Sequence, residues 1–169
     1  ETTCNIMAIS GANLDQVEQA LEMLCNSSVD VIYLVDSYGS LYPENASTLA
    51  KTYIAAAEKT DKKIGFHAHN NQNLAFANTI ETLSYGVSYL DATAQGMGRG
   101  AGNCAMELLL GFLKNPKYNL YSLLTFIEKY MLPLKEQGVV WGYDLQYMFT
   151  GQLNLHPREA MSFTADGRS

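Results

Sequence analysis

The chain has 169 residues, 47% hydrophobic and 17% charged, with a formal net charge of −6, enough for one domain with a real core. Its charges are spread along the chain, without the basic patch that a nucleic-acid-binding surface needs. No apolar run approaches the ~20 residues of a membrane span, and the opening Glu1-Thr2-Thr3 shows neither the basic stretch nor the apolar core of a secretory signal.

Cys4, Cys25 and Cys104 are widely spaced and form no CxxC pair. They read as buried free thiols of a cytoplasmic protein rather than as a disulfide framework.

In chain order, Thr3–Ile9 reads as a short apolar strand closed by Ser10-Gly11. It starts almost at the first residue and no Met precedes it, so the chain reads as a piece of a longer one. Asn13 caps a helix expected over 14–26, with apolar residues at Leu14, Val17, Leu21 and Leu24. The run Val29–Val35 suits a strand covered on both faces. Pro43 and Glu44 open a helix reaching about Thr60. A third strand is expected over Lys63–His69, a helix over Leu74–Tyr85 ended by Gly86, and a fourth strand over Val87–Ala94.

The loop Gln95-Gly96-Met97-Gly98-Arg99-Gly100-Ala101-Gly102-Asn103 follows, then a helix over Cys104–Leu113. Strands recur roughly every 25–30 residues, the size of one βα unit. The expected fold is therefore α/β, with about four βα units and parallel strands, half of a (β/α)8 TIM barrel. Residues 1–115 form that half-barrel, and 116–169 a helical C-terminal extension. Within the extension, helices are expected over 121–130 (broken or kinked at Met131-Leu132-Pro133-Leu134), over 144–153, and from His156-Pro157 onward. Thr164–Ser169 reads as a loose tail.

Functional groups of parallel α/β sheets gather at the C-terminal strand ends. Asp36-Ser37 ends the second strand, His67-x-His69 the third, and Asp91, Thr93 and Gln95 the fourth. Histidines spaced i, i+2 share a strand face, with side-chain bases roughly 6–7 Å apart, a gap one metal ion can bridge. They read either as two satisfied strand histidines or as half of a divalent-metal site completed by oxygen ligands. Asp36 reads as a turn carboxylate, an acid/base, or a group orienting the histidines. The glycine loop lets the backbone approach a ligand and leads into a helix N-terminus, but lacks the dinucleotide and P-loop fingerprints. Asn103 is an N-cap or a metal-facing amide.

Gly65-Phe66-His67-Ala68-His69-Asn70-Asn71, Leu34-Val35-Asp36-Ser37-x-Gly39 and Leu90-Asp91-Ala92-Thr93-Ala94-Gln95-Gly96-Met97-Gly98, running on to Gly102-Asn103, together resemble the HMG-CoA-lyase-like family of metal-dependent TIM-barrel enzymes. Within it, the glycine loop is most similar to the 4-hydroxy-2-oxovalerate aldolase branch. The resemblance covers roughly residues 1–115. It implies that His67, His69 and Asn103 hold a divalent metal, Mg²⁺ or Mn²⁺ with Zn²⁺ as the other candidate. The metal would bind a 2-oxo acid and stabilise a pyruvate enolate during retro-aldol C–C cleavage. Asp36 and Tyr143 are the implied catalytic positions; Ser37, Gly96, Gly98 and Gly100 are the implied substrate contacts.

The family's first strand carries an Arg-Asp pair, followed in the aldolase branch by a histidine. No Arg-Asp dipeptide occurs in this chain. In family terms the chain begins near strand five, so the missing N-terminal half or a second copy is an expected partner. The branch also implies an aldehyde dehydrogenase partner. The alternatives are an acetyl-CoA-dependent Claisen condensing enzyme of the same superfamily and a non-catalytic barrel remnant.

Overall fold

The structure is a computed structural model that describes residues 1–165, with side chains described to residue 162. Four parallel strands form one sheet in the order β1 (Thr3–Ile6), β2 (Val31–Asp36), β3 (Lys63–Ala68) and β4 (Tyr89–Leu90). Helices α1 (Leu14–Cys25), α2 (Pro43–Ala57) and α3 (Ala75–Ser84) make the crossovers, and α4 (Met106–Leu113) follows the glycine loop. This is the α/β half-barrel expected from the βα period.

Local chemistry explains the element ends. The Asn13 side chain accepts from the Gln16 N–H at 2.9 Å, and the Gln16 side chain accepts from the Asn13 N–H at 3.0 Å, a reciprocal box that starts α1. Pro43 stands in the first turn of α2, where its missing N–H costs nothing. Every residue of β2 is buried, as in a parallel strand covered on both faces.

The two sheet faces differ. Ile32, Leu34, Ile64, Phe66 and Ala68 point to the helices and pack with Val17, Leu21, Ala50, Tyr53 and Leu109 in the main core. On the other face Val31, Tyr33 and Val35 form a smaller cluster with Tyr89. The Tyr33 ring lies flat over Gly65, where a Cβ would sit 2.6 Å from it.

Two expectations change. The fourth strand spans Tyr89–Leu90 only, because the returning end of the glycine loop enters the sheet beyond it. Cys104 N–H donates to Ala68 O at 3.2 Å and Thr93 N–H to Cys104 O at 3.0 Å, so the loop takes the pairing that a longer β4 would have had with β3. Of the break or kink expected at Met131-Leu132-Pro133-Leu134, the break is absent. Between α5 (Leu120–Phe126) and α6 (Leu132–Glu136), residues Ile127–Met131 form a π-helical turn in which Leu132 N–H donates to Ile127 O. Proline removes an i→i−4 bond, and a wider turn just before it lets the helix run through.

Trp141 is buried against Ile127 and Met131, and beyond it come α7 (Leu145–Gln152) and α8 (Arg158–Ala165). Thr164 and Ala165 therefore end a helix, and the rest of the expected tail, 166–169, lies outside the described residues. Among the described residues no helix is long and apolar enough to cross a membrane.

Candidate metal centre

Strand alternation sorts the candidate residues by face. Val35 pairs with His67, and Asp36 with Ala68. His67 therefore projects with Tyr33 and Val35, whereas Asp36 projects with Leu34, Phe66 and Ala68 toward the helices. His69 follows on the side of His67, and the two rings meet edge-to-face with centroids 5.2 Å apart.

His67 Nδ1 lies 3.0 Å from Asp91 Oδ2. A carboxylate only accepts, so a ring proton sits on Nδ1 and Nε2 is the nitrogen turned away from Asp91. Burial, then the charge of and a hydrogen bond to the same Asp91 carboxylate, push the Tyr33 phenol up to about 12. Asp91 thus stands between Tyr33 and His67 on the inner face. Its role as the partner of His67 was not drawn from the sequence; the signal was an acidic residue ending the strand next to the His-x-His strand.

The glycine loop brings Asn103 to His69. Asn70 N–H donates to Gly102 O at 2.8 Å, and Cys104 N–H donates to Ala68 O. These two bonds flank an antiparallel bridge between His69 and Asn103. They make it a non-hydrogen-bonded pair, the kind with Cα atoms about 4.5 Å apart and side chains close together on one face. Asn103 does not cap a helix, since α4 begins at Met106. Its Nδ2 donates to Met97 O at 3.1 Å, which fixes the amide so that Oδ1 points the other way. Asn103 Oδ1 and His69 Nδ1 are both buried, with no hydrogen-bond partner among the described residues. Burial, then the charges of His67 and Arg99, lower the His69 pKa to about 4, so the ring is neutral near pH 7.

Two imidazoles and an amide oxygen suit a divalent cation, and unpartnered buried acceptors are what such an ion would satisfy. Among the described residues, however, no three His, Cys, Asp or Glu side chains are grouped to hold one. The set is a partial one.

The structure does not bring Asp36 to the histidines. Asp36 is 1% exposed, and its carboxylate accepts from Ser40 N–H at 3.0 Å and Leu41 N–H at 3.1 Å. Burial raises its pKa, and the amides of Ser40, Leu41, Gly39 and Tyr38 oppose that rise. This is the turn-carboxylate arrangement. Asp36→Ala would leave two amides without their charged acceptor and is expected to cost about 2–4 kcal/mol of stability in urea denaturation of the full-length protein. A loss under ~1 kcal/mol would contradict that role.

Ser37 is likewise occupied: its Oγ accepts from Ala8 N–H at 2.7 Å, tying the exit of β1 to that of β2. Gly98 lies against the Asn103 amide, where a Cβ would come within 2.5 Å of Nδ2. Gly96 (φ +61°) runs close under Asn103 O, whereas Gly100 faces the Tyr147 ring instead. Tyr143 is exposed and shares a groove with Gly98, Arg99 and Gly100. Trp141 pins that groove by donating its indole N–H to Gln95 O at 3.0 Å.

The HMGL-like family profile matches residues 1–128. The chain belongs to the HMGL-like family. Among curated relatives, 4-hydroxy-2-oxovalerate aldolase of Thermus thermophilus is 41% identical over 109 residues, 62% of this chain and 31% of that protein. Oxaloacetate decarboxylase of Mycobacterium tuberculosis is 42% identical over 87 residues, 51% of this chain and 25% of that protein. The solved N-terminal domain of a candidate aldolase from Bacteroides vulgatus superposes with a TM-score of 0.77 at 31% identity, covering 96% of this chain and 53% of that one. This HMGL-like chain thus spans about a third or less of those curated relatives.

Proposed function

We propose that this chain is the metal-binding half of a divalent-metal-dependent lyase that cleaves a C–C bond of 2-oxo acids by a retro-aldol reaction. The observation that carries the reading is the convergence of His67, His69 and Asn103 on one face, with buried acceptors lacking partners. The names of the aldolase and decarboxylase relatives support the 2-oxo acid class.

In this reading His67 Nε2, His69 and Asn103 Oδ1 hold the ion, Mg²⁺ or Mn²⁺ by the hardness of the oxygen partners, with Zn²⁺ the other candidate. Once bound, the metal supplies a Lewis acid that polarises the 2-oxo carbonyl. Asp91 holds His67 in its Nδ1–H tautomer and fixes the ring. Val35 and Tyr33 form a dry wall on the same face, which limits water around the reacting carbonyl. Gly96 and Gly98 let the loop backbone close on Asn103 and the substrate. Asp36 and Ser37 act through the turns they hold, and Tyr143 is assigned to the substrate-facing groove.

The remaining ligand and the proton-transferring groups are assigned to a partner half that covers the open inner face, where Thr3 and Asn5 are exposed. The division into 1–115 (half-barrel) and 116–169 (helical extension) belongs to the same proposal, as does hand-over of an aldehyde product to a dehydrogenase.

The test is pyruvate release from 4-hydroxy-2-oxo acids by the full-length protein loaded with Mn²⁺. Turnover is expected, with loss of at least about 100-fold on chelation and recovery on adding the metal back. Turnover indifferent to chelation would refute the metal role.

A further inference from the structure

His67 is oriented by Asp91, but Asp91 is not held by burial. Its side chain is 43% exposed, against 25% for His67, and the bond between them is the single 3.0 Å contact of His67 Nδ1 with Oδ2. A carboxylate at a strand end with that much water around it keeps several rotamers open. A donor that is itself fixed by packing narrows that choice.

Tyr33 is such a donor. It is 9% exposed and packs with Val31, Val35 and Tyr89. In the sheet Tyr33 pairs with Gly65 and Gly65 with Tyr89; Asp91 follows two residues on, its N–H donating to Phe66 O at 3.0 Å. The Tyr33 ring does not stay over its own strand. A Cβ on Gly65 would lie 2.6 Å from both Cε1 and Cζ of Tyr33, so the hydroxyl end of the ring crosses β3 toward β4. There the phenol hydrogen-bonds the Asp91 carboxylate, and because it keeps its proton at neutral pH it is the donor. Gly65 opens this path. It is not among the glycines of positive φ, so its backbone does not call for glycine; the ring passing over it does. Asp91 thus takes one donor from β2 and one from β3.

We propose that Tyr33 is a positioning residue of the candidate metal centre: reaching over Gly65, its hydroxyl fixes the Asp91 carboxylate and, through it, the ring of His67. The consequence for metal affinity rests on the metal-centre reading; the positioning itself is tested without metal.

The first readout is the pair of ring ¹⁵N shifts of His67 in the metal-free full-length protein with labelled histidines, at mildly alkaline pH, where a free imidazole is neutral. In wild type the Nδ1–H form is expected to dominate. In Tyr33→Phe, which keeps the ring and its packing, the two shifts are expected to move toward each other as the Nε2–H form gains, and Asp91→Ala sets the full size of that movement. Gly65→Ala, whose Cβ displaces the ring, is expected to move them in the same direction. Unmoved shifts in Tyr33→Phe overturn the proposal. The second readout is Mn²⁺ calorimetry. Tyr33→Phe is expected to weaken binding about threefold to tenfold in the wild-type background and to change nothing in Asp91→Ala. Equal weakening in both backgrounds would mean that Tyr33 does not act through Asp91, and overturns the proposal. If the wild-type protein binds no Mn²⁺, the metal-centre reading fails, while the ¹⁵N shifts still decide the positioning role.

Discussion

Replacing His67 or His69 with alanine in the full-length protein is expected to weaken Mn²⁺ binding by at least about 100-fold, and Asp91→Asn by about tenfold. The grading follows from the geometry. Each histidine contributes a lone pair directly, so its loss removes a ligand from a set that is already partial within this chain. Asp91 acts one bond further out, through the 3.0 Å contact that keeps the His67 proton on Nδ1. An asparagine there can still accept through its amide oxygen, but without charge it orients and polarises the ring less. Equilibrium dialysis or calorimetry with Mn²⁺ reads the series. Wild-type affinity in both histidine variants would sink the metal assignment, and Asp91→Asn weaker than His67→Ala would reverse the roles given to the two residues.

Gly102→Ala, outside the ligand set, is expected to act on both stability and metal binding. Gly102 takes φ +82°, a conformation that costs an alanine about 1–2 kcal/mol. Its Cβ would also collide with the Gly96 carbonyl oxygen, a backbone atom that cannot rotate away. That oxygen accepts from Asn103 N–H at 2.9 Å, and Gly102 O accepts from Asn70 N–H, so a loop forced open there releases the pairing of Asn103 with His69. A stability loss of about 2 kcal/mol or more is expected in denaturant titration, together with weakened Mn²⁺ binding. Full metal affinity in this variant would show that Asn103 does not depend on the loop closure. An alanine at Gly11, whose Cβ would meet nothing within 4 Å, serves as the control.

The two predictions differ in what made them readable. The histidine pair was legible because strand alternation is a property of the backbone: residues i and i+2 share a face in any strand. The βα period, the buried β2 run, the Asn13 cap and the Pro43 helix start were legible for the same kind of reason, each depending on neighbours within a few residues. The ending of β4 was not, because a strand-like run stays in the sheet only while its hydrogen-bonding edge is free. Here that edge is taken by residues 103–105, which arrive after a loop. The helix through Pro133 escaped for a similar reason, since a proline's cost depends on whether the preceding turn can widen.

Sequence alone determined the α/β half-barrel, the parallel strand order implied by its crossovers, and His67-x-His69 as the place to look for a metal, because these follow from short-range periodicity and motif chemistry. Only the tertiary structure decided which polar strand-end residues face that pair. It turned Asp36 to the helix side and into its own turn, set Asp91 on His67, laid Asn103 beside His69, and carried His156 across the strand ends to Tyr38. The physical reason is that a side chain's partner is chosen by sheet face and loop closure, which join residues 24 positions apart in the one case, His67 to Asp91, and more than a hundred in another, Asn154 to Ser10.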